Sequence, residues 1–159
     1  MDAEGDEMEV IAHEMQYLGE VTEECLIECV PFERRYFERY MELYNEAFYE
    51  MRKSLEIEPY NFLHGYEQIE EQVRDIFLLL EDGNIVGSVA CYENEVDDLF
   101  VAREYQGRGY GRQLLLWGMH RIRRENNGPI TLHVADWNRR AIEMYKRVGF
   151  EITNTEKVR

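Results

Sequence analysis

Apolar positions recur along this chain in two rhythms. In RRYFERYMELYNEAFYEMRK, the residues Tyr36, Tyr40, Leu43, Ala47 and Met51 fall three or four apart, which predicts an amphipathic helix of about five turns. Before it, LIECV, bounded by Pro31, reads as a short strand. After it, SLEIEPYNFLHGY carries Pro59, Asn61 and Gly65, reads as a loop, and leads into a second short helix around Glu67 to Asp75. Two apolar β-type runs then flank Asp82-Gly83-Asn84 in IFLLLEDGNIVGSVACY, the strongest hairpin signal in the chain. VDDLFV, Val96 to Val101, is a further strand. A helix follows from about Tyr110 to Arg124, stopped by Asn126-Asn127-Gly128-Pro129. ITLHVAD reads as a strand, NRRAIEMYKRV as a helix closed by Gly149, and FEIT as a last strand. This order predicts a mixed α/β sandwich and not a doubly wound sheet. Residues 1–20 are acidic and only intermittently apolar, and are set apart as an N-terminal extension, either a tail or an edge element. Residues 21–159 form one domain.

Charge narrows the function. The net charge is −15 over 159 residues, and residues 1–30 hold ten acids with no Lys or Arg. Such a balance repels phosphate backbones, so nucleic acid is excluded as a partner, while cationic small molecules or basic partners are compatible. Cys25, Cys29 and Cys91 are odd in number, with neither CxxC nor histidine spacing around them, which supports neither a metal site nor a disulfide framework. No apolar run approaches the ~20 residues that span a bilayer, and the acidic N-terminus is unlike a secretory signal. The expectation is a cytoplasmic chain that binds no membrane.

The stretch QGRGYG carries glycine at 107, 109 and 111, directly ahead of the apolar run LLLW. A helix N-terminus presents N–H groups without intrahelical partners, and the macrodipole adds about half a positive charge. Glycines there let a phosphate approach and allow the positive φ values that turn consecutive N–H groups inward. Arg108 and Arg112 can add charge-assisted contacts. Close packing at a strand-to-helix turn is the other use of such glycines. Two phosphate motifs are excluded on spacing: Gly111 is followed by Arg112-Gln113 and not by Lys-Ser or Lys-Thr, and GxGxG is not the dinucleotide GxGxxG.

With those residues in place, LFVAREYQGRGYG followed by LLLWGMHRI resembles motif A of the GNAT superfamily of acyl-CoA-dependent N-acetyltransferases. Asn138, Tyr145 and the ending Lys146-Arg147-Val148-Gly149-Phe150 resemble that family's second half. The likeness covers Ile76 to Phe150 closely and reaches more loosely to Cys25. It implies a GNAT-like α/β fold: a central, mostly antiparallel sheet with a V-shaped opening, flanked by about four helices. It implies acetyl-CoA as cosubstrate, with the pyrophosphate on the loop Gln106, Gly107, Arg108, Gly109, Tyr110, Gly111 and Arg112. The pantetheine arm would run beside Leu99, Phe100 and Val101, with the Val101 N–H facing the thioester oxygen and Asn138 near the opening.

The same resemblance implies the chemistry. Tyr145, seven residues after Asn138 and so on nearly the same side of a helix, would protonate the departing thiolate. Two groups match base positions of the family: Glu95, a strand glutamate of histone-type members, and His133, where ribosomal-protein N-terminal acetyltransferases carry a glutamate. Glu95 equally suits the turn Glu93-Asn94-Glu95, His133 equally suits a packed or surface strand residue, and Asp97 and Asp98 lie nearby. Tyr36, Tyr40, Tyr44, Phe48, Tyr60, Phe62, His64 and Tyr66 would roof an acceptor site or pack the core. Aromatics among carboxylates favour an amine, on a small molecule or a peptide. A catalytically silent acyl-CoA-binding module would use the same phosphate loop. The family commonly ends in a long hairpin, and after Phe150 only one strand of that pair has room. The second would be missing or come from a partner subunit, making a homodimer.

Overall fold

The computed structural model describes residues 8–159. Seven strands form one sheet in the order β2-β3-β4-β5-β6-β1-β7, with β1 at Ile11–Tyr17, β2 at Val30–Pro31, β3 at Ile76–Glu81, β4 at Asn84–Tyr92, β5 at Glu95–Val101, β6 at Ile130–Ala135 and β7 at Glu151–Lys157. Three α-helices flank it: α1 at Phe37–Ser54, α2 at Tyr110–Glu125 and α3 at Arg139–Val148. All pairings are antiparallel except β5 with β6. The result is a helix–sheet–helix sandwich with two cores, each formed because a sheet face must bury its apolar side chains against a helix.

Beneath α1 lie Tyr40, Leu43, Ile76, Leu78, Ile85 and Phe100. Beneath α2 and α3 lie Val86, Val89, Val96, Leu132, Ile142 and Phe150, together with Leu114, Leu115, Leu116 and Trp117. Four consecutive apolar residues are buried on α2 because the helix is covered on two sides. The sheet takes one face, and the segment 21–29 crosses another. Leu26 N–H donates to Gln113 Oε1 (2.7 Å), His120 Nε2 lies 2.7 Å from Glu23 O, and Trp117 Nε1 donates to Glu28 Oε1 (3.3 Å). Those contacts also explain why the strand expected at LIECV shrinks to Val30–Pro31: its polar groups are spent on α2 and not on a sheet ladder. The three cysteines sit along this face as free thiols, and burial pushes Cys29 and Cys91 up to about 12.

The helix expected at 67–75 is two single 3-10 turns, Tyr66–Gln68 and Val73–Asp75. Of residues 66–75 only Ile69 is buried, so no apolar stripe offsets the cost of nucleating a longer helix. The hairpin at Asp82-Gly83 is tight, with φ of 52° and 80° at those two residues, the mirror-image turn that matches strand twist.

Residues 11–17, inside the segment set apart as an extension, form an interior strand. β1 pairs with β6 on one side, from Ala12↔Ala135 to Tyr17↔Ile130, and with β7 on the other, from Ile11↔Lys157 to Gln16↔Glu151. IAHEMQY alternates to suit two faces: Met15 enters the α2 core with no exposure, while Glu14 faces the α1 side. The hairpin partner that β7 lacks in sequence is thus the chain's own β1, and the reason given for a partner subunit lapses. His13 fastens the arrangement, with Nδ1 2.8 Å from Thr155 Oγ1 and Nε2 2.7 Å from Asp136 Oδ1. The bond from His13, seconded by Arg139, holds the Asp136 carboxyl below its ordinary range.

Candidate active site

The parallel strands β5 and β6 touch at one place only. Glu95 is paired with Thr131, and Thr131 N–H donates to Asn94 O (2.9 Å); beyond it the strands part. β6 is held away by β1, and β5 is bent by a bulge. Ala90 pairs with Asp97 and Ser88 with Phe100, so Asp98 and Leu99 together face Val89, and Asp98 has φ 46°. One extra residue of this kind disrupts the ladder and re-aims side chains. The V-shaped gap opens a cleft of about 310 Å³ between the two strands and α1, lined among others by Asp98, Leu99, His133, Asn138 and Tyr145.

Past the residues that line this cleft, beside Val101 at the end of β5, is the N-terminus of α2: a Cβ added at Gly111 would lie 3.8 Å from Val101 Cγ2 and from Met144 Sδ. Gly107 and Gly109 have φ of 81° and 86°, values at which an added Cβ would be strained. Gly109 is the N-cap, and its carbonyl accepts from Gln113 N–H (3.2 Å). No described residue accepts a hydrogen bond from the main-chain N–H groups of Gly107 through Arg112. The neighbouring side chains, by contrast, are occupied. Gln106 Nε2 donates to Val101 O (3.0 Å), Tyr110 OH donates to Glu81 Oε2 (3.5 Å), and Arg108 lies 5.6 Å from the Tyr105 ring centre. Arg112 is held bidentately by Glu23, with Nη2 to Oε1 at 2.5 Å. What this loop offers an anion is therefore main chain first.

Along β5 the side chains of Leu99 and Val101 pack toward the α2 core, and Phe100 is buried on the α1 side. Ala102 N–H donates to Val86 O of β4 (2.8 Å). Main-chain groups alternate in direction along a strand, so those of Val101 turn toward the gap, where Gln106 meets its carbonyl. Asn138 caps α3, its side-chain oxygen accepting from Ala141 N–H (3.3 Å). Tyr145 follows two turns later, and both line the cleft. Burial, with Asp97 second, pushes the Tyr145 phenol up to about 12, and its hydroxyl bonds to no described residue.

Glu95 and His133 come together, His133 Nδ1 lying 3.3 Å from Glu95 Oε2. The opposite ring nitrogen is 3.5 Å from Glu14 Oε2 on β1. His133 lines the cleft, whereas Glu95 does not. The imidazole side chain is 49% exposed and Glu95 34%, so this array sits on the open face of the sheet. Of the eight aromatic residues considered for a roof, only Tyr44 and Phe48 line the cleft. Tyr40 is wholly buried, Tyr66 stacks edge-on against Phe37, Tyr60 against Tyr49, and Phe62 lies beneath Arg52. Among the described residues no group of three or more His, Cys, Asp or Glu is placed to hold a metal ion, and no helix is long and apolar enough to cross a membrane.

Two groups escaped selection from sequence, Asp98 in the cleft and Glu14 beside His133. Asp98 was one carboxylate among several, although the adjacent acids of VDDLFV break the strand's alternation and so signal a bulge. Glu14 lay in the segment set aside, although IAHEMQY has the period of a strand.

A parallel strand pair that parts beside a glycine-rich helix N-terminus is the frame of the fold, and comparison with known proteins gives its family. The model of the Acetyltransferase (GNAT) family matches residues 37–150. The chain belongs to that family, and acetyl-CoA is the cosubstrate consistent with it. A mycothiol acetyltransferase of Thermobifida fusca is 36% identical over 77 residues, 48% of this chain and 22% of that protein. An uncharacterized N-acetyltransferase of Methanocaldococcus jannaschii is 31% identical over 98 residues, 54% of this chain and 43% of that protein. The chain thus spans less than half the length of either relative. Among solved structures, a GNAT-family acetyltransferase from Colwellia psychrerythraea superposes with TM-score 0.70 at 12% identity, over 93% of this chain and 54% of that one. The PaiA N-acetyltransferase of Thermoplasma acidophilum, solved with coenzyme A, gives 0.58 at 18% identity, over 82% and 92%. At such identities the structures speak for the fold.

Proposed function

We propose that this chain transfers the acetyl group of acetyl-CoA to a primary amine, on a small molecule or a peptide, by direct attack of the amine on the thioester. The observation that carries the reading is the run of partnerless amides from Gly107 to Arg112, set beside Val101 at the end of the strand whose Asp98 and Leu99 line the same cleft as Tyr145. Those amides suit the diphosphate, whose charge the α2 dipole also favours. The gap between β5 and β6 suits the extended arm. The Val101 N–H suits the thioester oxygen, a donor fixed in place before charge develops there.

Tyr145 serves as the donor to sulfur. Its phenol, at about 12, is protonated throughout the physiological range. Against a free thiol near 8.5, complete proton transfer would be uphill by roughly 5 kcal/mol, so the phenol acts by hydrogen bonding as the C–S bond breaks. The same desolvated wall raises a thiol placed beside it and narrows that gap.

Tyr145→Phe should lower the rate of thiol release about 100- to 1,000-fold and leave the CoA dissociation constant within about twofold, read by calorimetry. Saturable CoA binding with no thiol release on any amine by the wild-type chain would favour the silent acyl-CoA-binding module instead. Loss of CoA binding on neither Gly107 nor Gly109 substitution would remove the loop from the site altogether.

A further inference from the structure

Resting on the acetyltransfer reading, we propose that Asp98, at the bulge of β5, is the catalytic residue that receives the proton of the acceptor amine. Three observations converge on it. The first is backbone placement. Asp98 is a non-glycine residue held at φ 46°, a conformation that costs on the order of 1 kcal/mol and persists only where the surroundings enforce it. What the bulge secures is the direction of the carboxyl, which leaves the ladder and lines the cleft beneath α1.

The second is its company. Tyr44 OH of α1 donates to Asp98 Oδ1 and Tyr92 OH of β4 to Oδ2, both at 3.4 Å. These bonds are long and leave lone pairs on both oxygens free for an incoming N–H. Burial raises both phenols well above their ordinary range, so they donate to the carboxylate and do not compete for its proton. Phe48, Met51, Leu55 and Ile57 complete an apolar wall beside it, fit for the body of an amine whose nitrogen points at Asp98.

The third is its readiness to exchange a proton. Burial first, then the charge of Asp97, lifts the carboxyl to about 7, against the opposing bonds from Tyr44 and Tyr92. The titratable groups around it are Asp97 and Glu95 on β5, and Arg52 on α1 and His133 on β6, which line the same cleft. Glu95, in contrast, does not line the cleft, and the His133 side chain beside it is 49% exposed, with Glu95 and Glu14 at 3.3 and 3.5 Å from its two ring nitrogens.

The step balances as follows. The ammonium form of the acceptor gives one proton to the Asp98 carboxylate, which passes it to solvent. The freed nitrogen lone pair forms the C–N bond at the thioester carbon, and the C–S bond breaks with its electron pair going to sulfur. The remaining surplus N–H proton goes to sulfur, whose developing charge the Tyr145 hydroxyl hydrogen-bonds while keeping its own proton. Amide, thiol and one solvent proton result.

The test uses the full chain with acetyl-CoA and four probes: n-butylamine, 2-phenylethylamine, spermidine and a dipeptide amide. For the best of them, Asp98→Asn should lower kcat/KM about 100-fold and abolish the acid limb of the pH profile, whose midpoint lies near 7 in the wild type. CoA affinity should hold, and Asp98→Glu should recover part of the rate. A D98N chain that retains the limb and a rate within about threefold overturns the proposal. The wild-type chain labelled with [4-13C]aspartate gives a second reading, the Asp98 signal being assigned by its loss in D98N or D98E. It should titrate near 7 and shift when n-butylamine is added to the CoA-bound chain; a carboxyl that ionises with the ordinary aspartates, or ignores the amine, overturns the proposal. If the wild type acetylates none of the probes, acetyltransfer to such amines fails, and the carbon signal alone decides for or against Asp98.

Discussion

At the N-terminus of α2, the proposed anion seat, what a ligand would meet comes from six consecutive residues and chiefly from their main chain, whereas in the cleft proposed for the acceptor Asp98, His133, Tyr44 and Ala12 come from four separate elements. Amides cannot be exchanged for another chemistry by substitution, so the first end can serve the same diphosphate through wide changes of sequence provided the glycine conformations survive. Side chains can be exchanged one at a time. The second end can therefore change its acceptor without disturbing the first.

The comparison breaks most visibly if the loop is spoiled. Gly109→Val must hold a branched side chain at φ 86°, at a cost of about 1–2 kcal/mol, and covers the amides besides. CoA affinity should fall at least about 30-fold by calorimetry, with the fold kept as judged by circular dichroism. Unchanged affinity would mean that the amides are not the anion site.

A smaller effect tests the opposite end. His13→Ala removes both ties from β1, to Thr155 and to Asp136, which should cost about 1–3 kcal/mol and lower the melting temperature by several degrees. Because β1 carries Ala12 and Glu14 toward the acceptor side, KM for the amine should rise while CoA affinity stays fixed. A rise in both would join the two ends that the structure separates.

The pH dependence of stability sharpens the contrast further. The Asp98 carboxyl binds its proton more tightly in the folded chain, at about 7, than at its ordinary value of 3.8. The folded state thus holds more protons between those values. This group's contribution is full below about pH 4, declines as pH rises to 7, and stays lost above. Asp98→Asn should flatten that decline and stabilise the chain at pH 8 by on the order of 1 kcal/mol after solvent screening, read from urea midpoints at pH 5 and 8. No difference between the two chains would place the carboxyl in water.

The smallest effect concerns Glu23, which holds Arg112 beside the loop. An exposed pair is worth at most about 1 kcal/mol, so Glu23→Gln should tighten CoA binding two- to fivefold at low salt. That gain should vanish at about 0.5 M salt, where the Debye length is only a few ångströms.

What could be read from the residues alone was what neighbours in sequence decide among themselves. The helical spacing of Tyr40 and Leu43, the turn at Asp82-Gly83 and the glycines before α2 all express local backbone preferences, and the structure keeps each of them. The turn at 67–75 went the other way because helix formation there needed a partner surface that only Ile69 touches. Strand pairing is of a different kind: its free energy depends on which edges are open once the rest has formed. Nothing within residues 11–17 specifies β6 and β7 as neighbours, and although the adjacent acids of 95–101 signal a bulge, nothing there specifies that Asp98 will fall opposite Val89 and turn beneath α1. The sequence by itself therefore determined the glycine turn ahead of α2, the proposed seat of the cofactor, because it is a matter of consecutive amides. Only the tertiary structure decided the surroundings of Asp98, the proposed acceptor side, because those depend on pairing and packing between segments far apart along the chain.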